Sequence, residues 1–338
     1  MAEATSVPEL RYLDIPNFKF QEGTRLPLTR LAYLDINPTS HKVAVIITCF
    51  RGRLQSTLNF ANGALRNHRI IVIALFGNGE SSSPSNTPNF PLAGLSYADC
   101  VHAQHELLTA HLQLTSVDIM VGFSMGGQCT YHWLAMYPDF VSAALIICSS
   151  ARTSRHNYQF LEGPKAALVN SVDYVNGTTG NESCFRGPLP ERGLKAFGKA
   201  YSAWLTSAEW FDRELYKTLG FKNLEAWNDV VAGTSYLTWH PDDLLAKLGM
   251  WQRGDITGVV SSTPASLEDA LGTIKARVLL MPCDTDQYFR WEANDRECKS
   301  IPNAELKVIP SVWGHLAGSG GSEEDIAWID KALADFLS

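Results

Sequence analysis

The sequence lacks the features that would direct the protein to a membrane or a nucleic acid. No apolar stretch in its 338 residues approaches the roughly 20 residues that a membrane-spanning helix needs. Lys and Arg are nowhere concentrated, and the net charge is −7, so neither nucleic acid nor membrane is an expected partner. Residues 1–9 contain no basic start and no apolar run, so we expect no secretory signal and a cytoplasmic location.

Cysteine is present without a recognisable pattern. The seven cysteines are irregularly spaced and include no Cys-x-x-Cys pair, which argues against a zinc site or a redox pair. We therefore expect reduced, mostly buried thiols. The sequence implies no metal and no tightly bound organic cofactor.

Apolar residues make up 45% of the chain, and they fall into strand-length runs that alternate with helical patterns. Such strands, rich in Val, Ile and Leu, predict a mostly parallel sheet covered by helices on both faces. The alternation stops near Ala151 and resumes near Pro264. We expect residues 1–152 and 262–338 to form an α/β core and residues 153–261 to form a helical cap. The clearest strand runs are residues 43–48, 70–75, 117–121, 143–148 and 277–281. Further strands are expected at residues 17–20, 31–36 and 305–309, and helices at residues 97–112 and 291–300.

The most informative segment is Gly-Phe-Ser-Met-Gly at residues 122–126, between a predicted strand and a helix-like stretch at residues 128–136. Gly-x-Ser-x-Gly at such a junction is typical of a nucleophile elbow, a tight turn that holds the serine in a strained conformation. Side chains two positions before or after the serine would collide with the turn, so glycine fits at both. Ser124 is the predicted nucleophile.

A serine hydroxyl needs a base, and the base needs an orienting carboxylate. In this arrangement the carboxylate and then the histidine follow the serine in the chain. Of the nine histidines, only His315 lies between the last predicted strand and the closing helix. The carboxylate should follow the strand that ends at Met281. We favour Asp286 because it lies further beyond the strand end, and Asp284 remains an alternative that could instead cap the turn.

Acyl transfer places negative charge on the carbonyl oxygen, which backbone N–H groups must stabilise. One donor should be Met125, directly after the nucleophile, and the other should lie in the loop after the third strand. Phe50 is the preferred residue of that loop and Cys49 the second choice. Phe50 could also serve only as core packing.

These residues resemble the homoserine O-acetyltransferase family. The resemblance rests on residues 122–127 and 133–138, on the loop at residues 78–84, on the Asp-x-x-Phe at residues 286–289, and on Gly-His at residues 314–315. It implies an α/β-hydrolase fold with a helical lid, a Ser-Asp-His triad and often a homodimer. It also implies acyl transfer from acetyl-CoA to an amino-acid hydroxyl.

Two features depart from that family. Leu316 stands where the family has an Asp that helps to hold the amine of the substrate. Residues 151–262 contain no counterpart of the family's Arg-Phe-Gly-Arg stretch. In its cap, the sequence is similar to a shorter, hydrolase-like branch of relatives of this family. The similarity includes the segments at residues 201–204 and 251–256.

The sequence thus predicts a serine hydrolase that cleaves a small-to-medium ester, thioester or related acyl bond, with Ser124, His315 and Asp286 as its triad. The alternative is an O-acyltransferase that uses the same residues, with acetyl-CoA as co-substrate and an alcohol as acceptor. A binding protein on an inactive hydrolase fold is a third hypothesis, against which the complete triad argues. The expected partners are a small-molecule acyl substrate and, as a homodimer, a second copy of the chain.

Overall fold

A mixed eight-stranded sheet runs through the centre of the protein. The computed structural model describes residues 8–58, 61–175, 187–260 and 266–338. The strands are β1 Arg11–Lys19, β2 Arg25–Ile36, β3 Val43–Ile47, β4 Arg69–Ile73, β5 Val117–Phe123, β6 Val141–Ile147, β7 Arg277–Met281 and β8 Ala304–Leu306. Their spatial order is β1-β2-β4-β3-β5-β6-β7-β8. β1 and β2 form an antiparallel hairpin, β2 pairs antiparallel with β4, and the pairs from β4 through β8 are parallel.

Burial explains why the central strands read as unbroken apolar runs. Every residue of β3 is buried, whereas β1 at the edge of the sheet is largely exposed. A parallel strand covered on both faces needs apolar side chains at successive positions, and an edge strand does not. The predicted parallel α/β sheet is confirmed.

Helices cover both faces of this sheet. The α-helices are α1 Tyr97–Glu106, α2 Met125–Met136, α3 Arg155–Val169, α4 Glu191–Ser202, α5 Ala208–Asp212, α6 Leu224–Val230, α7 Pro241–Gln252, α8 Leu267–Leu271, α9 Trp291–Ser300 and α10 Glu323–Leu337. Buried residues of α1 and α2 join one apolar cluster on one face, and those of α10 join a second cluster on the other. Alternate residues of the strands belong to the two clusters, as the two-residue period of a strand requires.

The helices α3 to α7 lie between β6 and β7, within the residues predicted to form the cap. The division into core and cap remains a prediction. Aromatic rings from this cap, including Phe160, Tyr201 and Trp251, belong to the same buried cluster as Phe50 and Tyr288 of the core. A smaller cluster around Trp210 and Trp227 lies within the cap. The cap therefore packs against the carboxyl ends of the strands, where ligands bind in open α/β sheets. The predicted boundary at residue 262 lies outside the described residues.

Within the described ranges, no helix has both the length and the apolar character that crossing a membrane requires. Six cysteines in the same ranges are free thiols: Cys49, Cys100, Cys129, Cys148, Cys283 and Cys298. Burial raises the pKa of the Cys100 and Cys283 thiols to about 12. Such thiols carry little thiolate at neutral pH and are poor nucleophiles.

Candidate active site

Ser124 occupies the sharp turn between β5 and α2. Its φ of 56° and ψ of −123° are unusual for a residue with a side chain and mark a strained backbone. A Cβ on Gly122 would lie 2.4 Å from the carbonyl oxygen of Gly126, and one on Gly126 would lie 2.4 Å from the carbonyl oxygen of Ile47. The turn can therefore close this tightly only with glycine at both positions.

His315 and Asp286 lie beside this serine in the order that proton transfer needs. Nε2 of His315 lies 2.9 Å from Oγ of Ser124, and Nδ1 lies 2.8 Å from Oδ2 of Asp286. Because an ionised carboxylate only accepts hydrogen bonds, Nδ1 carries the proton and Nε2 is free to accept one from the serine. All three side chains are buried. The structure thus brings together the three residues singled out in the sequence.

The two aspartates that follow β7 have different surroundings. Oδ1 of Asp286 accepts hydrogen bonds from the backbone N–H groups of Tyr288, at 2.7 Å, and Phe289, at 3.2 Å. These bonds orient the carboxylate and leave Oδ2 for His315. Asp284 is exposed, and its Oδ1 accepts from the backbone N–H of Ser311 at 3.1 Å. Asp284 therefore braces the loop that carries the histidine, and Asp286 contacts the imidazole.

Packing fixes the orientation of the imidazole. The ring centroid of His315 lies 4.7 Å from that of Phe123, 4.8 Å from that of Tyr288 and 5.7 Å from that of Phe289. The preceding residue, Gly314, has a φ of +59°, and a Cβ there would lie 2.8 Å from Cα of Thr206 in the cap. The histidine loop is therefore held by both the core and the cap.

The predicted oxyanion donors are the backbone N–H groups of Met125 and Phe50, and this role remains a prediction. Met125 is the first residue of α2, so its N–H has no partner within the helix, and it lies at the positive end of the helix dipole. The N–H groups of Met125 and Phe50 form no hydrogen bond with any residue that the structure describes. The ring of Phe50 packs on Tyr201 at a centroid distance of 5.4 Å. Phe50 therefore combines a packing side chain with an unpaired N–H, and Cys49 remains the second choice of donor.

A cavity of about 350 Å³ opens at Ser124 and His315. Its wall is largely apolar and includes Leu205, Val231 and Leu316. A pocket of this kind, with a few polar groups at one end, is typical of small-molecule sites.

Comparisons with known proteins agree with this geometry. Residues 44–178 match the family model for the alpha/beta hydrolase fold. The chain is 36% identical to an ethyl acetate hydrolase of Pseudomonas veronii, over 96% of this chain and 95% of that protein. It is 31% identical to a probable esterase of Corynebacterium glutamicum, over 96% of this chain and 94% of that protein. The chain belongs to the α/β-hydrolase family.

A solved structure of the acetyl esterase MekB superposes on this α/β-hydrolase with a TM-score of 0.86, at 30% identity, and covers 97% of this chain and 96% of that one. Homoserine O-acetyltransferases are also similar, at lower identity and over less of the chain. The predicted fold, the predicted resemblance and the prediction that the chain is an enzyme of this family are confirmed.

Sequence reasoning missed a buried network behind the elbow of this α/β-hydrolase. Oγ of Ser149 donates to the carbonyl oxygen of Ser124 at 2.7 Å, and Nδ2 of Asn294 donates to the carbonyl oxygen of Ser149 at 2.9 Å. Asn294 also donates to Glu297 at 2.8 Å, and the Tyr131 hydroxyl donates to Glu297 at 2.7 Å. Burial raises the pKa of Glu297 to about 7. The only available sequence signal was the pair of polar residues three apart on α9.

The side chains that could hold a metal ion are already committed elsewhere. In the described part of the chain, Cys148, Asp286 and His315 are the one group of potential ligands that lie within 4.8 Å of one another. Asp286 and His315 are hydrogen-bonded to each other, and burial raises the pKa of the Cys148 thiol well above its usual value. The expectation that the protein needs no metal or cofactor remains a prediction.

Proposed function

We propose that the protein is a serine esterase that hydrolyses short-chain esters, acetate esters above all, through an acyl-enzyme on Ser124. The observation that carries the proposal is the 2.9 Å approach of His315 Nε2 to Ser124 Oγ at the wall of a cavity of about 350 Å³. The relatives named ethyl acetate hydrolase and acetyl esterase support a small acyl group and a small alcohol.

The geometry supports a two-step mechanism. As Oγ of Ser124 attacks the ester carbonyl, Nε2 of His315 accepts its proton, and Asp286 stabilises the imidazolium through the Nδ1 hydrogen bond. The N–H groups of Met125 and Phe50 donate to the oxyanion. His315 returns the proton to the alkoxy oxygen, so the alcohol departs and leaves an acyl-serine. Water, deprotonated by His315, then attacks the acyl carbon. The bond from that carbon to Oγ of Ser124 breaks, His315 returns the proton to Oγ, and the carboxylic acid is released.

Leu316 favours hydrolysis over transfer to an amino-acid hydroxyl. It lines the cavity at the position where the homoserine O-acetyltransferase family has an Asp. An apolar side chain cannot bind an ammonium group, so homoserine would lose a charge partner there. The acyltransferase, with acetyl-CoA as co-substrate, remains the alternative that experiment must separate.

The test is the turnover of p-nitrophenyl acetate and ethyl acetate by the wild type and by Ser124→Ala, with and without homoserine and serine as acceptors. We expect steady hydrolysis that Ser124→Ala abolishes and that the acceptors leave unchanged. Ser150→Ala is a matched control because Ser150 lies at the same sheet edge and its hydroxyl donates to the carbonyl of Arg152. An acyl-enzyme that clears only when an acceptor is added would establish the transferase. Failure of a fluorophosphonate to label Ser124 would favour an inactive fold.

The proposed partner is a small-molecule acyl ester. The homodimer and the cytoplasmic location also remain proposals. Light scattering coupled to size exclusion tests the homodimer, since a monomer would have a mass of 37.3 kDa.

A further inference from the structure

A lysine of the cap lies buried directly behind the loop that carries Phe50. Lys247, in α7, has no exposed surface. Its Nζ donates hydrogen bonds to the carbonyl oxygen of Cys49, at 2.6 Å, and to that of Phe50. Among the described residues it forms no ion pair with a carboxylate. A buried cation without a carboxylate partner is costly, which suggests that its position serves the site.

The surroundings of Lys247 compensate its charge with dipoles and aromatic rings. The rings of Phe50 and Trp239 lie 5.8 and 5.7 Å from Nζ, within the range of cation–π attraction. Asp243, one turn earlier in α7, accepts instead from the backbone N–H of Ser85 at 2.9 Å and from its hydroxyl at 2.7 Å.

The other titratable or charged groups that face Lys247 are Arg53 and the thiols of Cys49 and Cys100. The guanidinium of Arg53 lies 3.9 Å from the ring centroid of Trp239. Burial raises the pKa of both thiols, so they are neutral at pH 7. Burial also lowers the pKa of Lys247 to about 8, and the side chain is therefore still mostly cationic at that pH.

The peptide geometry connects this cation to the oxyanion donor. The carbonyl of Cys49 and the N–H of Phe50 belong to one peptide group, and in a trans peptide they point in opposite directions. The ammonium therefore helps to fix the direction of the N–H, together with the N–H of Gly52, which donates to the same carbonyl at 3.2 Å. It also polarises the peptide, so that the N–H becomes a stronger donor.

We propose that Lys247 is a positioning residue of the oxyanion hole: from the cap it orients and polarises the Cys49–Phe50 peptide so that the Phe50 N–H meets the negative charge of the transition state. This inference rests on the proposed esterase function. Because the charge on the substrate oxygen develops only in the transition state, loss of Lys247 lowers kcat and leaves KM nearly unchanged.

The test compares Lys247→Met with Lys195→Met in p-nitrophenyl acetate hydrolysis. Methionine approximates the length of lysine without its charge. Lys195 is a half-exposed cap lysine, 3.7 Å from Glu191, and serves as the matched control. We expect kcat of Lys247→Met to fall by about 10- to 100-fold, somewhat less than the loss of an oxyanion donor itself. KM should change by less than about threefold, and the control should behave as wild type.

The pH profile separates positioning from a purely structural role. Wild-type kcat should fall as pH rises through about 8, because deprotonation removes the cation, and Lys247→Met should lack this limb. The free energy of unfolding of the wild type should instead rise over this pH range. Because the pKa of Lys247 is lower in the folded protein, the buried cation costs stability below pH 8, and this cost disappears as pH rises towards the usual lysine pKa. A purely structural role would lower the melting temperature and leave the alkaline limb unaltered.

Two results would overturn the inference: a folded Lys247→Met with kcat within twofold of wild type, or an identical alkaline limb in both proteins. If Lys247→Met does not fold, Lys247→Gln takes its place, and a folded Lys247→Gln with kcat within twofold of wild type rejects the inference. Failure of the proposed function is distinguishable, because the wild type would then show no turnover above Ser124→Ala.

Discussion

Asp286 and Asp284 are separated by one residue, yet they differ in burial and in the groups that they bind. Asp286 is 4% exposed and is bound to Nδ1 of His315, whereas Asp284 is exposed and bound to the backbone of Ser311. A regular strand would place both side chains on one face, but the chain turns at residues 284–285, where the N–H of Asp286 donates to the carbonyl oxygen of Cys283 at 3.2 Å, so the two carboxylates point in different directions. The chemistry of the site therefore depends on which of the two carboxylates points inward.

Replacement of Asp286 by Asn should lower kcat by about four orders of magnitude with little change in melting temperature. The amide can donate to Nδ1 and so favours the tautomer with its proton on Nε2, which cannot accept the serine proton. The matched control is Asp284→Asn, which keeps an acceptor oxygen for Ser311 and should retain near-wild-type turnover. Steady-state hydrolysis of p-nitrophenyl acetate gives kcat for both variants. A larger loss of kcat in Asp284→Asn than in Asp286→Asn would mean that Asp284 orients His315.

At the scale of single elements, the junction of β5 and α2 tolerates no added atom. Replacement of Gly126 by Ala should destabilise the protein by more than about 2 kcal/mol, because backbone must move to relieve the contact with Ile47. The measurement is urea unfolding, together with the rate of fluorophosphonate labelling at Ser124, which should fall in the folded fraction. Gly163→Ala in α3 is the control: no atom lies within 4 Å of its added Cβ, so it should be neutral or stabilising by up to about 1 kcal/mol. Equal effects of the two changes would contradict the argument.

Helices and strands could be predicted from the sequence where their buried faces require a regular pattern of apolar residues. The runs at residues 277–281 and 291–300 coincide with β7 and α9 because a covered strand and an amphipathic helix leave clear patterns. β1 begins earlier than its apolar residues indicate, since its exposed face tolerates polar side chains. The last strand is shorter than its apolar run at residues 305–309. The helix expected at residues 97–112 changes after Glu106 to a π-helical turn over Leu107–His111, which no local pattern indicated.

At the scale of the whole molecule, the candidate site combines segments from both core and cap. The Gly-x-Ser-x-Gly motif and the order of strands were sufficient to select Ser124 and His315, but they favoured Asp286 without excluding Asp284, because both aspartates follow the same strand. Lys247 could not be found in this way, because its partners are backbone carbonyls and carbonyls have no sequence signature. Glu297 was missed for a related reason: its role depends on tertiary contacts with α2 and with the segment after β6.

Glu297 connects three segments behind the elbow, and its titration should affect the stability of the entire fold. It accepts from the Tyr131 hydroxyl, from the backbone N–H of Ala151 at 2.9 Å and from Asn294. Its pKa is about 7, above the ordinary 4.5. Between these two pH values the folded protein therefore keeps a proton that the unfolded chain releases, so the free energy of unfolding falls as pH rises.

The difference in unfolding free energy between wild type and Glu297→Gln isolates this contribution, because glutamine does not titrate. Wild type should lose stability relative to Glu297→Gln by on the order of 3 kcal/mol as pH rises from about 4.5 to 7, at 1.36 kcal/mol for each pKa unit. Urea unfolding of both proteins across that range measures the difference. Asp99 and Asp243 also have raised pKa values, but they are present in both proteins, and their contributions cancel. A pH-independent difference would mean that Glu297 is ionised throughout, held charged by its three donors, and that the network behind Ser124 is insensitive to pH.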